Sequence, residues 1–131
     1  MNREMTRDFR RHTGPGLYCV ELRTENWPQL VEWYREILGL RVLVRVVDDG
    51  YALLDAGETR IALLARKDAE EPSRRISLAF EVEDVQKLAA KLAAAGSPIS
   101  YPLRDPEGLR EANTADPDGN RIRLFTWPQG R

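Results

Sequence analysis

The sequence predicts an α+β fold in which a strand-helix-strand-strand-strand unit is written twice. Three observations predict it. Apolar residues alternate with polar ones at the start of each half, over 17–24 and again over 76–83, as in a half-buried strand. A helical-period apolar stripe follows each alternating run and ends at a glycine, Gly39 in the first half and Gly96 in the second. Short apolar runs parted by Asp- and Gly-rich turns complete each half. One helix then covers one face of each sheet. The opposite sheet faces form a cup, with the helices on its outer side.

Each element has its own signal. Residues 1–15 read as a polar, flexible arm, with Arg3, Arg7, Arg10 and Arg11 against Glu4 and Asp8. Mixed signs point to a solvated tail rather than a nucleic-acid arm, and the acids argue against a transit peptide. In the strand at 17–24, Tyr18, Val20 and Leu22 take one face and Cys19, Glu21 and Arg23 the other. Thr24-Glu25-Asn26 caps a helix whose stripe is Trp27, Leu30, Val31, Tyr34, Ile37 and Leu38. Strands follow at 40–47, 51–55 and 59–65, joined by Asp48-Asp49-Gly50 and Ala56-Gly57-Glu58. Residues 67–74 are a polar linker. Beyond it, Ile76, Leu78, Phe80 and Val82 alternate with Ser77, Ala79, Glu81 and Glu83. Asp84 is placed to cap a helix carrying Val85, Leu88, Ala89, Leu92 and Ala95. Strands near Ile99, at 109–115 and at 121–127 finish the pattern, the last two joined by Asp116-Pro117-Asp118-Gly119-Asn120. The chain thus divides into an arm, one domain over 16–127 made of modules 16–66 and 75–127, and a tail at 128–131.

Composition excludes several function classes. The chain has 131 residues, 42% of them hydrophobic, enough for one domain with a core. Its longest apolar run, Ile61-Ala62-Leu63-Leu64-Ala65, is far short of the about 20 residues a membrane-spanning helix needs. Twenty basic and 21 acidic residues give no bulk field for nucleic acid or an anionic membrane. One cysteine, Cys19, excludes an internal disulfide and a cysteine-cluster zinc site. One histidine, His12, excludes a His-rich metal site within one chain. The start carries no signal-peptide-like apolar stretch, so the cytoplasm is the expected compartment.

Three segments, in order, resemble one family. Residues 33–40, WYREILGL, resemble a helix end of the type FYRDVLGL. Residues 78–85, LAFEVEDV, resemble LAFEVDDV. Gly108-Leu109-Arg110, followed by DPDGNRIRL at 116–124, resembles GLR…DPDGNxIEL. Together they are similar to the vicinal oxygen chelate superfamily, which includes glyoxalases, bleomycin resistance proteins and extradiol dioxygenases. The resemblance implies two βαβββ modules, each with a curved four-stranded sheet, paired within a chain or across a homodimer. In metal-dependent members it implies ligands, usually His or Glu, on the first and last strands of each module. Those positions fall here on Cys19, Ala62, Ser77 and Arg123. Ala62 has no donor atom, and Arg123 is a permanent cation that repels a divalent ion. No metal and no other cofactor is expected.

The period-2 rule then supplies candidate ligand-binding residues. If Leu22, Leu63, Leu78, Phe80, Ile122 and Leu124 face the helices, their neighbours face the cup. Cys19, Glu21, Arg60, Ser77, Glu81, Arg123, Phe125 and Trp127 are the candidates. Arg123 can grip an anionic or carbonyl group with Glu21 or Glu81 as its partner, or simply form an internal pair filling the metal's space. Glu21, Glu81 and Cys19 are the available candidates for catalysis. Tyr51 also lies near the cup or its rim, whereas Trp33 and Tyr34 read as core and Asp116 as a turn residue.

The expected function is metal-free binding of a small organic ligand by a homodimer, without nucleic acid or membrane. The alternatives are a glyoxalase-, lyase- or dioxygenase-type enzyme with atypical ligands, and a non-catalytic interaction module.

Overall fold

The computed structural model describes residues 14–102 and 110–126. Seven strands and two helices follow in the order β1 Val20–Thr24, α1 Trp27–Glu32, β2 Val42–Val46, β3 Tyr51–Asp55, β4 Arg60–Ala65, β5 Ser77–Glu81, α2 Val85–Ala94, β6 Glu111–Ala115 and β7 Arg121–Phe125. They make two sheets, ordered β1-β4-β3-β2 and β5-β7-β6. In both, the first strand of the module lies parallel to the last, and the other pairings are antiparallel. The two halves therefore repeat one topology, as the duplicated sequence pattern predicts.

The second sheet departs from expectation at its edge. The strand expected near Ile99 is reduced to a single bridge between Ser100 and Asn113. Pro98 and Pro102 bracket it, and proline has no N–H to extend a ladder. The pairing is two hydrogen bonds, Ser100 N to Asn113 O at 3.0 Å and Asn113 N to Ser100 O at 2.8 Å.

The first helix also differs from its sequence pattern. After Glu32 it widens into a π-helical turn, Trp33–Leu38. Trp33 and Tyr34, adjacent in sequence, are both buried, and their rings meet edge to face at 5.0 Å. Gly39, at φ 91°, ends the turn, and the Tyr34 carbonyl accepts from Gly39 N and Leu40 N at 3.0 and 2.9 Å. At the start, Asn26 occupies the cap position without using its side chain. Thr24 Oγ1 instead accepts from Asn26 N at 2.9 Å. Asp84 behaves as expected, accepting from Lys87 N at 3.0 Å.

One hydrophobic cluster takes residues from both halves. Trp27, Leu30, Val31 and Tyr34 from the first helix pack with Ile61 and Leu63 of β4, Leu92 of α2, and Ile122 and Leu124 of β7. Leu22, Leu78 and Phe80 border it, so all six residues expected to face the helices do so. Burial of this apolar surface is the main driving force for the fold. The polar atoms carried into it are paired: Trp27 Nε1 donates to Leu63 O at 2.9 Å, and Trp33 Nε1 to Ser97 Oγ at 3.2 Å. Tyr34 Oη donates to Asp116 Oδ2 at 2.7 Å, joining the first helix to the β6–β7 turn.

Candidate functional site

The sheet faces turned away from the helices differ in character. On the first sheet, Ala62 and Leu64 of β4 pack with Leu53, Leu43, Tyr51 and Cys19 in a small apolar cluster. Ala62 is fully buried there, so hydrocarbon lies where the resemblance implies a metal ligand. Glu21, opposite Ala62 in register, pairs with Arg23 at 3.5 Å. Arg60 is tied to Tyr18 beside this cluster. Its guanidinium lies 4.2 Å from the centre of the Tyr18 ring, and Nε donates to Tyr18 O at 3.1 Å.

Burial pushes the Cys19 thiol above its ordinary range. Glu21 raises it further, against a smaller lowering by Arg60. A nucleophile or metal ligand needs the thiolate, so these surroundings disfavour both roles. Tyr51 is raised too, by burial first and then by Cys19, Tyr18 and Glu21.

The second sheet presents polar groups. Register places Ser77 beside Arg121, Ala79 beside Arg123 and Glu81 beside Phe125. On the other side of β7, Ala115, Asn113 and Glu111 stand opposite the same three residues. By the alternation of a pleated strand, all of these share one face. Arg123 pairs with Glu111 at 3.3 Å and lies 4.8 Å from the centre of the Phe125 ring. The internal pair is thus present, but its partner is Glu111 and not the expected Glu21 or Glu81. Glu111 reaches Arg123 diagonally across neighbouring antiparallel strands.

The predicted set is thus brought together in two groups. Cys19, Glu21 and Arg60 belong to the first sheet, and Ser77, Glu81, Arg123 and Phe125 to the second. Trp127 lies outside the described residues, as does His12. A groove of about 920 Å3 runs along β5 and links the halves, with Leu17, Val20, Ile61 and the 56–59 turn on one side and Ser77–Glu81 on the other. A second recess of about 440 Å3 lies against β6 and β7, and its lining includes Ser77, Ile99, Ser100, Asn113, Arg121 and Arg123. Sequence reading passed over Glu111, Asn113 and Ser100. The alternation rule applied to 109–115 puts 111 and 113 on one face, but which strand neighbours β7 is a property of the fold.

The donor set at the positions implied by the resemblance does not fit a divalent metal. It consists of a thiol held protonated, a buried methyl group, a neutral hydroxyl and a guanidinium already paired with a carboxylate. Among the described residues, no group of three His, Cys, Asp or Glu is arranged to hold a metal ion.

The repeated topology, shared core and open sheet faces define a two-module α+β protein. The sequence profile of the Glyoxalase/Bleomycin resistance protein/Dioxygenase superfamily matches residues 16–124. The chain belongs to that superfamily. It is 30% identical over 123 residues to the uncharacterized protein YraH of Bacillus subtilis (strain 168), covering 83% of this chain and 96% of that one. Among solved structures, the trypanothione-dependent glyoxalase I of Leishmania major superposes with a TM-score of 0.68 at 27% identity, over 86% of this chain and 87% of that one. TnmS3, an antibiotic binding protein from Streptomyces sp. CB03234, gives a TM-score of 0.68 at 20% identity, over 88% and 98%.

Proposed function

We propose that this chain is a metal-free small-molecule-binding protein that captures an organic ligand without transforming it. The observation that carries this reading is the substitution of the donor set. A buried methyl group and a paired guanidinium stand at two of the four implied ligand positions, while recesses of about 920 and 440 Å3 remain open. Volumes of this order suit small organic ligands. The likeness to an antibiotic binding protein supports capture as one use of this fold.

The ligand-binding residues in this reading are Cys19, Glu21, Arg60, Ser77, Glu81, Arg123, Phe125 and Trp127. The functional unit is a cytoplasmic homodimer, in which a twofold partner covers apolar side chains left open, among them Leu17 at 65% exposure, Ile76 at 64% and Val47 at 68%. No described helix is long and apolar enough to cross a membrane. Within each chain, modules 16–66 and 75–127 flank the linker 67–74, with the arm and tail outside them.

The test is calorimetric titration of chelator-stripped protein with zinc, nickel, cobalt, manganese and anaerobic ferrous ions, beside a thermal-shift screen of small molecules. No stoichiometric metal binding, together with organic compounds that raise Tm, supports the proposal. One tightly bound ion per site overturns it and favours a metal-dependent enzyme.

A further inference from the structure

We infer that the recess on the second sheet selects organic acids carrying a single negative charge, and that Arg121, a cup-facing residue by strand alternation but not among the candidate ligand-binding residues, is its principal anchor. The inference rests on the ligand-binding reading above and specifies the chemistry of the ligand.

Two guanidinium groups, Arg121 and Arg123, line this recess, and no Asp or Glu is among its lining residues. The two arginines are not equivalent. Arg123 is paired with Glu111 and packed on Phe125. The Arg121 side chain makes no ion pair or hydrogen bond among the described residues. Counting the two lining guanidiniums and the carboxylate paired with Arg123, and with Glu81 outside the lining, the recess carries one positive charge in excess, so a monoanion matches it better than a dianion. The neutral groups suit the same ligand. Asn113 faces Arg123 in register and Ser77 faces Arg121, while Ser100 is bridged to Asn113. The side-chain hydroxyls of both serines and the Asn113 amide have no hydrogen-bond partner among the described residues, which leaves them available to a carboxylate. A guanidinium presents two parallel N–H donors that match a carboxylate's two oxygens. Phe125, two residues beyond Arg123 on the same face, offers apolar contact for the body of the acid.

Matched probes test this directly. Benzoate and cinnamate are compared with the uncharged benzamide and cinnamamide, and with phenyl phosphate as the dianionic probe. Affinity is read by ligand-observed NMR, and location by backbone amide shifts in the labelled full chain. Both carboxylates are expected to bind about tenfold more tightly than their amides, with shifts at Ser77, Asn113, Arg121 and Arg123. Arg121→Gln should lose about tenfold in carboxylate affinity and Arg121→Lys less, while Lys87→Gln, at an exposed position of α2, keeps it. Equal binding of acids and amides, preference for phenyl phosphate, or an indifferent Arg121→Gln variant that retains the native spectrum overturns the inference. If neutral compounds from the wider screen bind and carboxylates do not, the inference alone fails. If nothing in that screen binds, the ligand-binding reading fails with it.

Discussion

Asp116 receives four hydrogen bonds on its carboxylate although the sequence presents it as the first residue of a hairpin turn. Asp118 N, Asn120 N and Asn120 Nδ2 bind it from within the turn at 3.0, 2.9 and 2.8 Å, and Tyr34 Oη binds it from the first helix. The carboxylate is buried, so each donor offsets desolvation that water no longer compensates. Tyr34→Phe removes one donor and should lower stability by about 1–3 kcal/mol in urea denaturation. The same bond has a pH signature. Burial, followed by Asp116, holds the Tyr34 hydroxyl well above its ordinary range. The folded state therefore keeps that proton more tightly than the unfolded chain. This contribution is complete below the ordinary tyrosine range and is lost as pH rises through the raised value. Cys19 behaves in the same sense. Its alkylation by iodoacetamide should have a midpoint above 9.0, the ordinary value against which it is raised. Glu21→Gln should speed that reaction at fixed pH and Arg60→Gln should slow it. No effect of either charge would show that burial alone controls the thiol.

At the scale of elements, the β2–β3 and β3–β4 turns offer a controlled comparison. Gly50, at φ 61°, and Gly57, at φ 88°, both lie where a side chain is strained. Only at Gly50 would an added Cβ also collide with the Ala65 side chain. Gly50→Ala should therefore cost more than Gly57→Ala, which pays about 1–3 kcal/mol for conformation alone. Equal losses would show that Ala65 gives way. These turns were legible in the sequence because Asp-Asp-Gly and Ala-Gly-Glu carry local chemistry. So were the strands, through alternation, and the faces of β1, β4, β5 and β7. The π-helical turn was not, since its apolar residues also fit an α-helical period; burial of both Trp33 and Tyr34 accompanies the widening. The reduction of the strand near Ile99 was signalled only by its flanking prolines. The candidate site was legible where one strand sufficed and illegible where two strands had to be placed side by side. Arg123 was found, but its partner Glu111 depends on the β6–β7 register. Tyr34 and Asp116 were each read from their own surroundings, and 82 residues separate them.

At the scale of the whole molecule, the shared core governs how the protein unfolds. Leu30 is completely buried among residues of both halves. Leu30→Ala should cost about 2–5 kcal/mol. In a Trp127→Phe background, tryptophan fluorescence, which then reports only Trp27 and Trp33 in the first half, and far-UV circular dichroism, which reports both halves, should shift together. Two separate transitions would mean that each half carries its own stability. The donor chemistry makes a companion prediction for metals. Zinc added to chelator-stripped protein should leave Tm unchanged, because only an ion that binds the folded state raises it.

The Tyr34–Asp116 bond also bears on whether this chain could exist as two pieces. Cut in the 67–74 linker and expressed as fragments, the protein would leave a tyrosine hydroxyl on one piece and a multiply hydrogen-bonded carboxylate on the other. Each fragment would also expose its side of the common core. Neither is suited to life alone, yet together they carry complementary surfaces and a directional polar contact to set their alignment. The duplicated halves have thus become mutually dependent: the linker can be severed with less consequence than the seam it spans.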